Sequence, residues 1–377
     1  MGTRCGTLPG GSFRHGRPGV ESPGDPAPLL HRGGSGTAGG TPGTPGSQGR
    51  AVTPASPAAG RSRAGSPAPL VVILGPTGAG KSALALDLAL ALKGGLISAD
   101  AMQVYRGFDL GTAKPDAATR ARVRHELVDM ADPRHDFSAG DFVRAADRAV
   151  SRLREEGLRP IMVGGTGFYI RAFLRGLFPG PRRSESLRER LRARAGSHGP
   201  AYLLRMLARL DPDSADRLGA GDTQRVIRAL EVVLLSGETL SRQLARDGGG
   251  IWERPERYDA VKIGVHVEKA RLVARLEVRA QVFFDAGLVE EVRRLLAAGI
   301  PPTANAFKGI GYRESLAVVR GEYSEAEARR RTVIATRQYA KRQMTWFRRE
   351  SNLHWLAGDE PGENMTRAAL AIISQAG

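Results

Sequence analysis

Between residues 70 and 177, short apolar runs alternate with longer stretches of helical periodicity. LVVIL (70–74), LIS (96–98) and PIMVGG (160–165) read as strands. Ser82–Lys93 and Asp141–Glu156 read as helices, because their apolar residues recur over more than ten positions. Strands alternating with helices predict an α/β fold, a parallel sheet with helices on both faces. The first helix, SALALDLALALK, is apolar almost all round, so burial is expected for it rather than an amphipathic surface position.

From about residue 179 to 255 the strand pattern stops. SESLRERLRARAGS, AYLLRMLARL and DTQRVIRALEVVLLSG are basic and helical. YDAVKIGVHV (258–267) reads as a strand again, and long helices are expected over 268–298 and 324–349. A helical block with α/β pattern on both sides predicts an all-helical insertion, 179–255, into one core made of 70–178 and 256–350. Residues 351–377 read as a C-terminal tail. No fixed-period repeat is found. Residues 1–69 are rich in Gly, Pro, Ser and Arg, with too few apolar residues to offset the entropy of ordering them. We read that segment as a disordered extension, with a start site placed too far upstream as one account of it.

Composition narrows the function classes. The 377 residues can bury a large core without staples, and the single cysteine, Cys5, excludes a disulfide framework or a Cys-rich zinc module. No run of about eighteen apolar residues suggests a membrane span, and a cytoplasmic monomer is expected. Lys and Arg number 56 against 39 Asp and Glu, a net charge of +17. Such a surface attracts polyanions, nucleic acid above all, although an Arg-rich solvated surface accounts for the charge equally well.

Candidate chemistry begins at GPTGAGKS, which fits the phosphate-loop (P-loop) pattern G-x-x-x-x-G-K-[ST] between a strand and a helix. Gly75, Gly78 and Gly80 let backbone N–H groups converge on phosphate oxygens, and Lys81 adds a mobile ammonium. Ser82 can ligate Mg2+. The next strand ends at Asp100, which the topology places beside the loop as a base or metal ligand. The third strand ends in Gly164-Gly165-Thr166-Gly167, where many NTPases carry an acid. That difference weakens an ATP-spending reading. It leaves open whether the small residues admit a ligand or only a tight turn. At helical spacing Tyr339, Gln343, Trp346 and Phe347 can form a buried face, with the surrounding basic residues turned to RNA.

The series GPTGAGKS, ISADAMQVYRGFDLGTAKP, GGTGFYI, DTQRVIRALEV and TRQYAKRQMTWFR, in that order, resembles the tRNA dimethylallyltransferase family of bacterial type over about residues 70–350. The resemblance implies transfer of a prenyl group from dimethylallyl diphosphate to N6 of the adenosine 3′ of the anticodon in tRNA. It assigns Gly75, Pro76, Thr77, Gly78, Ala79, Gly80, Lys81 and Ser82 to the donor's diphosphate. Asp100 takes the role of the base, with Thr166 and Lys81 at the departing oxygen. Asp100, Ala101, Met102, Gln103, Thr166, Arg188, Gln224, Arg225, Val226, Ile227 and Arg228 become tRNA contacts. Mg2+, with Ser82 as its ligand, is the implied cofactor. Three departures stand out: Ala101 where Ser is usual, LGAG before Asp222 where His-Pro-Asn is common, and Phe168 where Leu is usual. The other classes to weigh are a P-loop small-molecule kinase, an isopentenyltransferase acting on free AMP, and a non-catalytic RNA-binding protein.

Overall fold

The computed structural model describes residues 68–360 and 362–376; the extension expected over 1–69 lies almost wholly outside the described residues. Along the chain come β1 (Leu70–Leu74), α1 (Lys81–Ala91), β2 (Gly94–Ala99), α2 (Ala117–Arg122), β3 (His125–Glu126), α3 (Ala139–Glu155), β4 (Arg159–Gly164) and α4 (Gly167–Arg175). A helical block follows, with α5 (Glu185–His198), α6 (Pro200–Leu210), α7 (Pro212–Asp216), α8 (Thr223–Ser236) and α9 (Leu240–Arg246). The chain then forms β5 (Ala260–His266), α10 (Lys269–Asp285), α11 (Leu288–Ala297), α12 (Tyr312–Val319), α13 (Glu325–Phe347), β6 (Leu353–Ala357) and α14 (Gly362–Ala376). Residues 179–247 make one compact unit and the remaining described residues the other.

In the larger unit six parallel strands lie in the order β3-β2-β4-β1-β5-β6. β1 is central, with Val71 opposite Ile161 of β4 and Val261 of β5, and all five of its residues are buried. That is why LVVIL is unbroken by polar residues: a parallel strand covered on both faces has no solvent side. One face is covered by Phe142 and Val150 of α3, Phe173 of α4 and Phe347 of α13. Leu84 and Leu88 of α1 with Ala369 and Ile373 of α14 cover the other. A third cluster holds the segment after β2 against α10–α12, where Phe108 meets Phe307 and Tyr312 at ring separations of 5.1 and 4.8 Å.

Four expectations are corrected. Helix α1 is buried on one side only, through Leu84, Ala85, Leu88 and Ala89, while Leu90 is 46% exposed; its outer face is apolar without being covered. The helix expected over 268–298 is two helices, broken at Gly287, whose φ of 91° favours glycine. Residues 248–255 belong to the larger unit rather than the helical block. The tail is part of the core: β6 extends the sheet beside β5, and α14 buries Met365, Ala369 and Ile373, four residues apart. No helix among the described residues is long and apolar enough to cross a membrane.

The unit of residues 179–247 has its own core of Leu187, Leu191, Leu203, Leu207, Val226, Ile227 and Leu230. Three of its five helices, α5, α7 and α9, are capped by Ser184, Asp211 and Thr239, each accepting a backbone N–H of the first turn.

Candidate active site

The phosphate loop leaves the carboxyl end of β1 and enters α1. Gly75, Gly78 and Gly80 all have positive φ, at 149°, 81° and 94°. Gly75 also lies against β5, where a Cβ would sit 2.3 Å from the Val265 carbonyl oxygen. A Cβ on Gly78 would meet Leu276 of α10 at 2.8 Å, and one on Gly358 would meet the Ala79 carbonyl at 2.6 Å. The loop is therefore packed from three sides, which fixes where its amides point. The Ala79 N–H donates to Pro76 O at 3.3 Å. Lys81 is buried and folds back to donate from Nζ to the same carbonyl at 2.6 Å. Burial first, and then the Arg279 guanidinium, lower its pKa to about 7 against the opposing charge of Asp100. Ser82 is exposed at the start of α1.

Asp100 follows β2 at the same edge of the sheet. Its Oδ1 accepts the N–H groups of Met102 at 2.8 Å and Gln103 at 3.3 Å. Oδ1 thus caps the turn after β2 and fixes the carboxylate, while Oδ2 has no hydrogen-bond partner among the described residues. The adjacent Ala101 N–H donates to Thr166 Oγ1 at 3.2 Å, while Thr166 N–H donates to Ala99 O at 3.3 Å. These bonds tie the ends of β2 and β4 together and place the hydroxyl of Thr166 beside the carboxylate. The glycines around Thr166 are used by the protein itself. A Cβ on Gly164 would lie 2.2 Å from Ala99 O, one on Gly165 2.2 Å from Gln343 Nε2, and one on Gly167 2.3 Å from Trp346. Thr166 also opens α4, which Arg171 anchors by an ion pair with Glu350 and by stacking over Trp346.

One neighbouring side chain escaped the sequence reading, and a second was read only as packing. Arg279 of α10 is half-buried, and its charge is felt at both Lys81 and Asp100; burial lowers its pKa and Asp100 partly restores it. Among dozens of arginines nothing local marks it. Tyr339 of α13 brings its hydroxyl to Thr166, and burial together with the Asp100 charge raises its pKa to about 12, against the hydrogen bonds it shares with Thr166 and Gln343. The helical spacing of Tyr339, Gln343 and Phe347 pointed to this buried face. In the same helix Arg337, Lys341, Arg342, Arg348 and Arg349 stay exposed.

Other expected contacts are placed differently. Gln103 spends its amide internally, donating to Thr112 O and Ala113 O at 3.1 and 3.3 Å and accepting from Ser98 Oγ at 2.8 Å. Met102 is half-buried and packs on the third cluster. In the helical unit Val226 and Ile227 are core residues, 1% and 0% exposed, because the stripe that faces the bundle passes through them. Their side chains are not available for RNA. Arg188 clasps the fully buried Glu231 with Nε and Nη2 at 2.9 and 2.7 Å, and Arg228 reaches the same carboxylate at 2.6 Å. Burial pushes the Glu231 pKa up, but these guanidiniums and the Ser184 N–H prevail and hold it at about 2. Gln224 and Arg225 are exposed, the latter with only Asp222 near, at 3.9 Å.

A phosphate loop on the central strand of a parallel sheet, with a carboxylate and a hydroxyl at the neighbouring strand ends, defines a P-loop α/β protein equipped for chemistry at a bound phosphate group. A family model described as IPP transferase matches residues 103–350. The chain is 47% identical over 294 residues to a tRNA dimethylallyltransferase of Geobacter metallireducens, covering 78% of this chain and 93% of that one. It is 44% identical over 295 residues to the tRNA dimethylallyltransferase of Geobacter sulfurreducens, covering 78% and 94%. Among solved structures, the tRNA isopentenylpyrophosphate transferase of Bacillus halodurans superposes with a TM-score of 0.60 at 33% identity, over 82% of this chain and 97% of that one. The chain belongs to the IPP transferase family.

Proposed function

We propose that this chain transfers the dimethylallyl group of dimethylallyl diphosphate to the exocyclic N6 of the adenosine 3′ of the anticodon in tRNA, releasing diphosphate. The observation that supports this reading is the bond from the Ala101 amide to the Thr166 hydroxyl, which ties the residue after Asp100 to the turn after β4, beside the phosphate loop. An adenine amine is a weak nucleophile, because its lone pair is drawn into the ring. As the N6–C1 bond forms, Asp100 Oδ2 takes the N6 proton. As the C1–O bond breaks, charge builds on the departing oxygen, where Thr166 donates and Lys81 and Arg279 supply positive charge. The adenosine must leave its stack to reach this edge of the sheet.

The donor set also fits a magnesium ion carried by the substrate. Among the described residues no cluster of three or more acidic, His or Cys side chains could hold a metal alone, and Ser82 presents one exposed hydroxyl beside the loop. Mg2+ is commonly held in that way, by phosphate oxygens, waters and one or two protein ligands. Bound there it would neutralise diphosphate charge.

The test is a nucleoside mass spectrum of unmodified tRNA incubated with the protein, magnesium and dimethylallyl diphosphate, without ATP. A gain of one prenyl unit on adenosine, lost in Asp100→Ala, is expected. No product without ATP, together with phosphorylation of an acceptor when ATP is added, would replace this reading with that of a kinase. Prenylation of free AMP but not tRNA would replace only the acceptor.

A further inference from the structure

Gln343 is 5% exposed near the C-terminal end of α13, just after the exposed Lys341 and Arg342. A buried amide destabilises a fold unless its polar atoms are paired. Here both ends are paired, and each to a different active-site turn. Oε1 accepts the N–H of Thr77, inside the phosphate loop, at 2.9 Å. Nε2 donates to the carbonyl of Gly165, the residue before Thr166, at 2.8 Å. The fit is close enough that a Cβ on Gly165 would lie 2.2 Å from Nε2. One turn earlier, Tyr339 brings its hydroxyl to the side chains of Thr166 and Gln343.

The turn after β1 and the turn after β4 are thus joined by one side chain from a helix distant in sequence. We propose that Gln343 is a positioning residue for the transfer: its amide sets the separation between the loop that takes the donor's diphosphate and the Thr166 hydroxyl that meets the departing oxygen. The proposal rests on reading the loop as the diphosphate site. The Thr77 N–H is held by Gln343 and the Ala79 N–H by Pro76 O, so Gln343 orients the loop from behind and leaves its other amides for the ligand. Donors aimed at developing charge lose much of their effect when displaced by a fraction of an ångström, so a slackened loop should weaken both diphosphate binding and turnover.

The measurements are the Kd of inorganic diphosphate with magnesium, by calorimetry, and kcat and KM for tRNA. Gln343→Met keeps the volume but leaves two buried backbone groups unpaired, a loss on the order of tenfold in an equilibrium constant. We expect diphosphate affinity and kcat each to fall by about tenfold, with KM for tRNA changed less than twofold. Gly165→Ala displaces the amide from the opposite side and should reproduce the loss without touching Gln343. Added to Gln343→Ala, where the space is vacant, it should cost less than about threefold more, the non-additivity of residues in contact. The proposal is overturned if Gln343→Met leaves diphosphate affinity and kcat within twofold of the parent protein. Fully additive losses in the Gly165→Ala/Gln343→Ala pair would overturn it too, and so would a rise confined to KM for tRNA. Should Gln343→Met fail to fold, the Gly165→Ala comparison decides. Absence of prenyl transfer by the parent protein is a separate result that sinks the transferase reading, since the diphosphate affinities are measured without turnover.

Discussion

Replacing Glu231 by Gln tests whether Arg188 and Arg228 serve the fold of the helical unit before they serve RNA. The carboxylate is fully buried and accepts four hydrogen bonds, two from Arg188, one from Arg228 and one from the Ser184 N–H. Despite burial, these donors take its pKa from 4.5 to about 2. At about 1.4 kcal/mol per pH unit, that drop corresponds to about 3 kcal/mol favouring the charged, paired form. Removing one partner of a buried ion pair commonly costs a similar 3–5 kcal/mol, because the remaining charge stays buried. The folded-state pKa is the lower one, so the contribution is complete above pH 4.5 and is lost as pH falls from there towards 2. Urea unfolding followed by circular dichroism at pH 7 should show Glu231→Gln less stable by about 3 kcal/mol. At pH 3.5 the gap between the two proteins should have narrowed by about 1 kcal/mol. A variant within 0.5 kcal/mol of the parent at pH 7, with weakened tRNA binding instead, would refute the reasoning. It would mean that Arg188 and Arg228 are held for RNA and that their pairing contributes nothing to the fold.

Three further outcomes are expected. Because Lys81 has a pKa of about 7 in the free site and diphosphate raises it, donor binding above pH 7 should take up a proton. Calorimetry at pH 8 in buffers of different ionisation heat should find close to one proton, and a Kd for dimethylallyl diphosphate independent of pH from 7 to 9 would contradict this; the same shift adds stability as pH rises from about 7 to 10.5. Arg225→Ala should weaken tRNA binding and lower the salt dependence by about one counterion, whereas Arg188→Ala should show chiefly as lost stability. Equal salt slopes for Arg225→Ala and the parent would count against contact there. Ala101→Ser leaves the backbone bond to Thr166 in place, so tRNA affinity should hold and turnover change by less than about tenfold; a thousandfold change in single-turnover rate would show that a hydroxyl at 101 reaches the reacting atoms.

The parts of this molecule that were legible in its sequence are those whose cause is local. LVVIL must be a doubly covered strand, and GPTGAGKS must be a tight turn, because unbroken apolar residues and closely spaced glycines leave the chain few alternatives. Asp100 was placed beside the loop by the topology, whereas Thr166, at the end of the neighbouring strand, was assigned a role only through the family resemblance. Where burial depends on which distant segment arrives, the reading failed. Helix α1 was taken as enclosed because its sequence is apolar all round, yet only one stripe meets α14 and the sheet. β6 was overlooked because an edge strand of five residues, none of them buried, leaves a weak pattern. Arg225 and Arg228 were both assigned to tRNA, but nothing in the sequence could show that Arg228 turns to Glu231, beside an Arg188 forty residues away in sequence.

The same distinction runs through the active site. The groups proposed to react, Lys81, Asp100 and Thr166, stand at or beside turns that follow β1, β2 and β4. The groups proposed to aim and bias them, Arg279, Tyr339 and Gln343, arrive on α10 and α13, nearly two hundred residues or more beyond the phosphate loop. On a helix, a polar residue in an otherwise buried stripe is the one local sign such a group leaves, and Gln343 carries it, 5% exposed between Tyr339 and Phe347. Arg279 carries no such sign, because a long side chain can lay its stem on apolar surface at the edge of any stripe. It follows that substitutions on α13 should alter the chemistry according to the face they occupy. Those on the Tyr339–Gln343 face should change kcat and donor affinity, and those at Lys341 should change tRNA affinity alone, while Arg342, 5.9 Å from the centre of the Tyr339 ring, touches both. A kcat effect at Lys341→Ala equal to that of Gln343→Met, with tRNA saturating, would show that the two faces do not act separately.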